Sequence, residues 1–415
     1  MFRDLMENPR VCNTIVAAGF KPSLEKLASK LHSSGYAETT ILFYGQAAVH
    51  FAYWIAKRHL NPSHIDEHYV DSFLSRHLPT CRCPFGGVRQ RITVRAALRH
   101  FVAILHSDPA NSNNKRKLTA VDSEVKSFDD YLRTVSGLQE ATRAYRRRYI
   151  REFLMELFGH DCVNLSRLTV KDVIQYLSKR VSHLKPQSAK VLASSLRSYF
   201  RFLRLQGKCE ESLILAVPAP SSYKLASLPR VLTDREVRRL LAVFDRRTVA
   251  GRRDYAITRC LSDLGLRAEE VVRLRLEDID WRKGTVQLVG SKSRRDDQLP
   301  LPNSLGTAIA TYIRRGRLKT SQRQVFLRVR PPIGRGITRR TVCDVIIRAA
   351  ARAGMQSIIT GTRILRHTVA TRMLHHGASL KEVADVLRHR CLDTTKIYTK
   401  VDLPRLAIVA APWPK

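Results

Sequence analysis

The stretch GTRILRHTVATRMLHHG, residues 361–377, reads as a helix ended by Gly377. Arg363 and Arg366 stand three apart on it and project from one face. SLKE at 379–382 is a capping box opening a short helix, which runs to LRHR and contains His389. Asp393 is placed to cap a last helix, DTTKIYTK, which carries Tyr398. Upstream, DYAITRCLSDLGLRAEEVVRLRLEDIDW reads as helix, turn, helix. Gly265 breaks it, and Arg267 opens the second helix, where a bidentate cationic donor suits a phosphate. TVQLVGSKSRRDDQLPLP reads as a β-hairpin with Val286, Leu288, Leu299 and Leu301 alternating along its strands. Lys292 falls in its polar turn, a position that suits a DNA groove and equally an ordinary exposed residue.

The 415 residues exceed one compact core, so two to four domains are expected. Composition is that of a folded protein, 44% apolar and 26% charged. No apolar run is long enough to span a bilayer, and MFRDLMENPRVCN is not a secretory signal, so no membrane association is expected. Cysteines 12, 81, 83, 162, 209, 260, 343 and 391 are scattered rather than framed for disulfides, which points to a reducing, cytoplasmic setting. Cys81 and Cys83, with His77 upstream, make a partial metal-ligand set without a visible fourth member. The plainer reading is a turn, TCRCPFGG, made by Pro84, Gly86 and Gly87, and neither metal nor cofactor is expected. Lys and Arg number 73 against 36 Asp and Glu, a net charge of +37. Such a chain repels itself unless a polyanion neutralises it, so DNA or RNA is the expected partner, bound less tightly as salt rises. Charge alone does not separate an enzyme from a passive binder.

The first half repeats itself. Gly35-x-x-Glu38-x-Thr40 is echoed by Gly137-x-x-Glu140-x-Thr142, each with a tyrosine just beyond, Tyr44 or Tyr145. VDSFLSR from Val70 is echoed by VIQYLSK from Val173, and Leu98-Arg99-His100-Phe101 by Leu196-Arg197-Ser198-Tyr199. Matches in one order at a near-constant offset predict a duplicated helical unit. In SLRSYFRFLRLQG, Leu196, Tyr199, Phe200 and Leu203 form one face. Arg197, Arg201 and Arg204 form the opposite face, which is either simply solvated or turned to DNA. KCEESLILAVPAPSSYKLASLP, with Pro218, Pro220 and Pro229, reads as a linker, after which Thr233 or Asp234 caps a helix with Glu236 in its first turn. The expected organisation is multidomain: helical units suited to DNA binding at 1–118 and 119–212, a linker at 213–229, a mixed α+β domain at 230–405 and a tail at 406–415.

Taken together, these motifs make the C-terminal domain resemble the catalytic domain of the tyrosine recombinases, the phage integrase family. The family's G-L-R-x-x-E stands here as Gly265-Leu266-Arg267-Ala268-Glu269-Glu270, and its hairpin lysine as Lys292. Its H-x-L-R-H-T-x-A-T stands as Arg363-Ile364-Leu365-Arg366-His367-Thr368-Val369-Ala370-Thr371, and its L-G-H with a tyrosine nine residues on as Leu387-Arg388-His389 and Tyr398. The second helical unit resembles the family's SAM-like core-binding domain, and the first is an addition to the usual pair. Two positions depart from the pattern: Arg363 replaces a histidine or lysine, and Arg388 replaces a glycine.

The resemblance implies a fold of duplicated helical units followed by an α+β catalytic domain. It also implies a chemistry of site-specific cleavage and rejoining of double-stranded DNA. Tyr398 would be the nucleophile, Arg267 and Arg366 would hold the non-bridging oxygens, His389 would add a hydrogen bond, and Lys292 would protonate the leaving 5′-oxygen. Glu270 would orient a basic neighbour, and Arg363 would supply charge beside Arg366. The implied assembly is a homotetramer on DNA, or a mixed tetramer with sister recombinases. The competing readings are a type IB topoisomerase and an inactive DNA-binding accessory that descends from a recombinase.

Overall fold

A computed structural model describes the chain except for residues 1–8, 61, 63–64, 82, 84–89, 108–118, 160–162, 219–228, 290–296, 390–394, 396 and 399–415. It is mostly helical, with one small sheet, in two compact units: residues 113–224, and residues 1–112 together with 225–415.

The N-terminal segment packs α1 (Pro9–Ala17), α2 (Lys21–Ser33), α3 (Glu38–Ala56), α4 (Glu67–Ser72) and α5 (Arg91–Leu105) around Phe20, Phe51, Phe73 and Phe101. Each such side chain, fully withdrawn from water, contributes about 1.5–3 kcal/mol. Helix α4 widens into a π-helical turn over Phe73–His77.

Residues 113–224 form their own core on α6 (Ala120–Thr134), α7 (Glu140–Phe158), α8 (Val170–Val181) and α9 (Pro186–Leu205). Leu196, Tyr199, Phe200 and Leu203 are fully buried there, as the spacing on α9 predicts. The supposed linker begins with a short helix, α10 (Ser212–Leu215), whose Leu213 joins this core; most of the remaining linker lies outside the described residues. The two N-terminal regions share an order of elements. Gly35 and Gly137 both take positive φ, +74° and +55°, and each precedes a 19-residue helix, α3 or α7.

In the C-terminal region, α11 (Asp234–Ala242) opens on a capping box in which Thr233 and Glu236 satisfy each other's backbone amides. Helix α12 (Val249–Asp263) and α13 (Ala268–Arg273) follow, then an antiparallel sheet of β1 (Ile279–Asp280), β2 (Thr285–Leu288) and β3 (Asp297–Pro300) in that order. The expected hairpin is β2–β3, with Val286 opposite Leu299 and both buried; β1 is an extra edge. Leu301 lies past the end of β3 and packs against the core from the following loop. Helices α14 (Asn303–Arg315), α15 (Arg339–Arg352), α16 (Arg363–His375) and α17 (Leu380–Val386) complete the domain. Tyr312 on α14 is wholly buried, and its hydroxyl accepts from the Leu327 amide, which ties it into the core.

Candidate active site

The site is assembled where α13, α16 and the end of α17 meet. Gly265 is in the left-handed region, φ +60°, and a Cβ there would sit 2.8 Å from Leu387 Cδ2 and 3.4 Å from Val369 Cβ. Glycine therefore lets the turn before Arg267 press onto both helices. Its carbonyl accepts from Arg366 Nη1 at 2.7 Å.

Arg267 is the N-cap residue of α13. Its backbone amide donates to Glu270 Oε2 at 2.7 Å, and its Nη1 donates to Glu270 Oε1 at 2.6 Å. Its Nη2 reaches across to the Arg388 carbonyl at 2.8 Å. Arg366, one turn into α16, donates Nη2 to the Leu387 carbonyl. Two guanidinium groups from different elements thus converge on one short stretch of backbone, and each keeps further N–H donors beyond these bonds. Burial and the neighbouring Arg267 push the Arg366 pKa down to about 9, which leaves it cationic at neutral pH.

That stretch of backbone is shaped by Arg388. It sits at φ +54°, where the family's glycine would be expected, in the C′ position after α17. The left-handed turn is therefore kept, at a cost of about 1–2 kcal/mol for a residue with a Cβ. The side chain offsets this: the guanidinium, 1% exposed, donates to Glu270 Oε2 at 2.7 Å. Glu270 is thus shared between Arg267 and Arg388. Burial works against its charge, but Arg388 and Arg267 outweigh burial and hold its carboxyl below the usual range.

His389 follows directly. Its Nδ1 lies 2.7 Å from Thr395 Oγ1. Burial, with Arg366 and Arg267 adding repulsion, drives its pKa down to about 4, so the ring is neutral at pH 7. In the tautomer with Nδ1 accepting from the threonine hydroxyl, Nε2 carries the proton and can donate onward.

Tyr398 stacks against His389, the ring planes 11° apart and the centroids 6.3 Å apart. It is only 2% exposed, packed among Val369, Ala370, Leu374, Val383 and Leu387. Its hydroxyl is 2.9 Å from His367 Nδ1. Burial raises the phenol's pKa, and Arg366 partly opposes this. The His367 pKa is lowered by burial and then by Arg363 and Arg366. The sequence reading passed over His367; the clue available was its place in the Arg366-His367-Thr368 string, beside a residue already assigned a role.

Of the residues singled out from sequence, Arg267, Glu270, Arg366, His389 and Tyr398 come together. Arg363 is the exposed first residue of α16 and lies close enough to His367 to repel its proton. Lys292 and Asp393 lie outside the described residues. On α9, Arg201 is exposed, Arg197 is half-buried, and Arg204 pairs with Glu211 at 2.8 Å.

Comparison with known proteins gives the following. The model of the phage integrase family matches residues 230–404, and that of the phage integrase N-terminal SAM-like domain matches 125–207. The protein y4rA of Sinorhizobium fredii, named as an integrase/recombinase, is 36% identical over 370 residues, 88% of this chain and 88% of its own. Tyrosine recombinase XerD of Listeria innocua is 32% identical over 289 residues, 68% of this chain and 95% of its own. About a third of this chain therefore has no counterpart in that XerD, whereas y4rA spans most of it. In fold, the chain is similar to the XerH site-specific recombinase solved on palindromic difH substrate as a post-cleavage complex. The TM-score is 0.55 at 16% identity, over 73% of this chain and 92% of that one.

Proposed function

This chain belongs to the phage integrase family, the tyrosine recombinases that cleave and rejoin DNA, and on that premise we propose that it recombines specific double-stranded sites through a 3′-phosphotyrosyl bond to Tyr398. The observation that carries the reading is the convergence of Arg267 and Arg366 on the Leu387–Arg388 backbone, with His389 and Tyr398 next in space.

The chemistry follows from those groups. Cleavage of a phosphodiester needs an in-line nucleophile, neutralisation of the phosphorane and a proton for the leaving oxygen. Tyr398 leaves its pocket and attacks the phosphorus. Arg267 and Arg366 hold the non-bridging oxygens, and His389 Nε2 donates to one of them. Lys292 gives its proton to the departing 5′-oxygen, which an arginine could not do. Arg363 acts as a fixed positive charge, so the phenolic proton goes elsewhere, and His367 is the acceptor already in contact. The phosphotyrosyl ester keeps the bond energy, so religation by a 5′-hydroxyl needs no nucleotide cofactor.

The substrate is a site of a mobile element, cut during integration, excision or transposition in the cytoplasm. The assembly is a tetramer on DNA, of this chain alone or with sister recombinases. The regions 1–118 and 119–212 act as two DNA-binding units of common origin, with Arg197, Arg201 and Arg204 turned toward the backbone phosphates. A nicked suicide site tests the core of this reading. Protein should become linked to the 3′ side of the break, and Tyr398→Phe should bind DNA but form no adduct. An adduct that survives in Tyr398→Phe refutes it, and relaxation of any supercoiled plasmid without a site would favour the topoisomerase reading. Sequencing the trapped DNA names the site.

A further inference from the structure

His50, His77, Cys81 and Cys83 bring their ligand atoms within 4.8 Å of one another. His50 Nε2 lies 3.2 Å from His77 Nε2, and His77 Nε2 lies 3.5 Å from Cys83 Sγ. Zinc bonds of about 2.0–2.1 Å to nitrogen and about 2.3 Å to sulfur, set tetrahedrally, require about 3.3 Å between two nitrogens and about 3.6 Å between nitrogen and sulfur. Those two separations match the nitrogen–nitrogen and nitrogen–sulfur edges of such a sphere. We propose that these four residues bind a structural zinc ion that fastens the segment after His77 to helix α3.

The surroundings are arranged for this. His50 is a buried residue in the middle of α3, its ring edge-on to Phe73 at 5.0 Å. His77 closes the π-helical turn Phe73–His77, and its ring lies among Trp54 and Phe73, at 5.7 and 5.2 Å. The wider turn re-aims the end of α4 relative to an α-helix, and such local widening accompanies functional positions. Cys81 and Cys83 follow Leu78, and none of the described residues between Leu78 and Val94 joins the apolar core. A metal clip that ties this part of the chain to helix α3 closes a loop and so stabilises the fold. Two thiolates and two imidazoles suit zinc, and four protein ligands leave no open position, so the role is structural rather than catalytic. The sequence reading had three of the four ligands. His50 was missed because 26 residues separate it from His77 and only the packing of α3 on α4 closes the gap.

The untagged full-length chain, purified reduced and without chelators, should carry one zinc per chain by elemental analysis. Replacing zinc with cobalt should give the intense visible bands of a tetrahedral site and a thiolate-to-cobalt charge-transfer band. Cys81→Ser and Cys83→Ser, at half-buried positions outside the apolar core, should lose the metal on dialysis against a chelator that leaves the unaltered chain loaded. His50→Ala should do the same. Stripping the metal should lower the thermal transition of the folded protein, and zinc should restore it. Reduced protein that takes up neither zinc nor cobalt overturns the proposal. So does zinc retained equally by both serine variants, or a metal-free Cys81–Cys83 disulfide seen as a mass lower by two hydrogens. None of these readouts depends on recombination, so the outcome stands apart from that of the covalent-adduct test.

Discussion

Around Arg267 and Arg366, guanidinium donors meet backbone carbonyls and Glu270; around Tyr398, one imidazole meets the hydroxyl, a second stacks on the ring, and aliphatic side chains pack about it. The first region is held by directional bonds between α13, α16 and the end of α17, and it contains an ion pair whose two partners are 1% and 5% exposed. On the proposed mechanism, such a cradle needs little reorganisation when a phosphate arrives, which is the condition under which cationic donors stabilise a phosphorane best. The second region is an apolar pocket that raises the phenol's pKa and keeps it from water. On the proposed mechanism, a nucleophile stored this way stays inert until DNA draws it out, so the grip is built in advance and the attack is withheld.

Four substitutions would break or sharpen that contrast. Arg366→Ala should have the largest effect. Loss of a preorganised donor to a developing oxyanion costs about 10²–10³ in rate, and here a full charge goes with it. Single-turnover cleavage of a pre-bound suicide site measures this. A rate close to that of the unaltered chain would mean the cradle is scaffolding only.

Lys292→Ala belongs to neither region and separates proton supply from both. General-acid catalysis contributes about 10²–10⁴. The variant should slow cleavage by that order on ordinary DNA and recover on a substrate with a 5′-bridging sulfur, whose leaving group needs no proton. Equal slowing on both substrates would leave Lys292 as a DNA contact.

Glu270→Gln tests whether the cradle is held from behind. It leaves Arg388 buried beside a neutral amide, and breaking a buried pair costs about 3–5 kcal/mol. The thermal transition should fall by several degrees, with cleavage reduced by about one order of magnitude. The sign with pH is fixed by the depressed carboxyl. Its stabilisation is present above the unfolded value near about 4.3 and is lost as pH falls through the lower folded value. The stability gap between the two proteins should therefore close in acid. A gap unchanged at low pH would assign the loss to packing.

His367→Gln should have the smallest effect, within about one order of magnitude, and it probes the pocket. The imidazole titrates below its ordinary value of about 6.5. Cleavage by the unaltered chain should fall as pH drops through that lowered value, because a protonated ring cannot accept the phenol's proton. Glutamine keeps a hydrogen-bonding group but does not titrate, so the acidic limb should flatten. A limb that persists would place the proton acceptor elsewhere.

Much of this contrast is legible along the chain, because its parts are local. Capping boxes at Thr233–Glu236 and Ser379–Glu382 are written within four residues and form as expected. The apolar face of α9 follows from helical spacing, and the β2–β3 hairpin from alternation. Arg267 and Glu270 sit one helical turn apart, so their pairing follows once α13 is recognised. Arg388 was legible as a departure but not in its consequence. That a non-glycine residue keeps the left-handed turn and sends its side chain to Glu270, 118 positions away, depends on α13 and α17 being neighbours.

By itself, the sequence determined the helical character of the first half, the mixed C-terminal domain and the family it resembles, and it supplied the reacting groups that are proposed here. Each of these rests on residue type and short-range spacing, which the chain carries before it folds. Only the tertiary structure decided that His367 rather than residue 363 meets the phenol, that Tyr398 is stored in an apolar pocket, and that His50 joins His77, Cys81 and Cys83. Those meetings are between residues brought together by helix packing, and a separation of a few ångströms across two helices leaves no periodic trace along the chain.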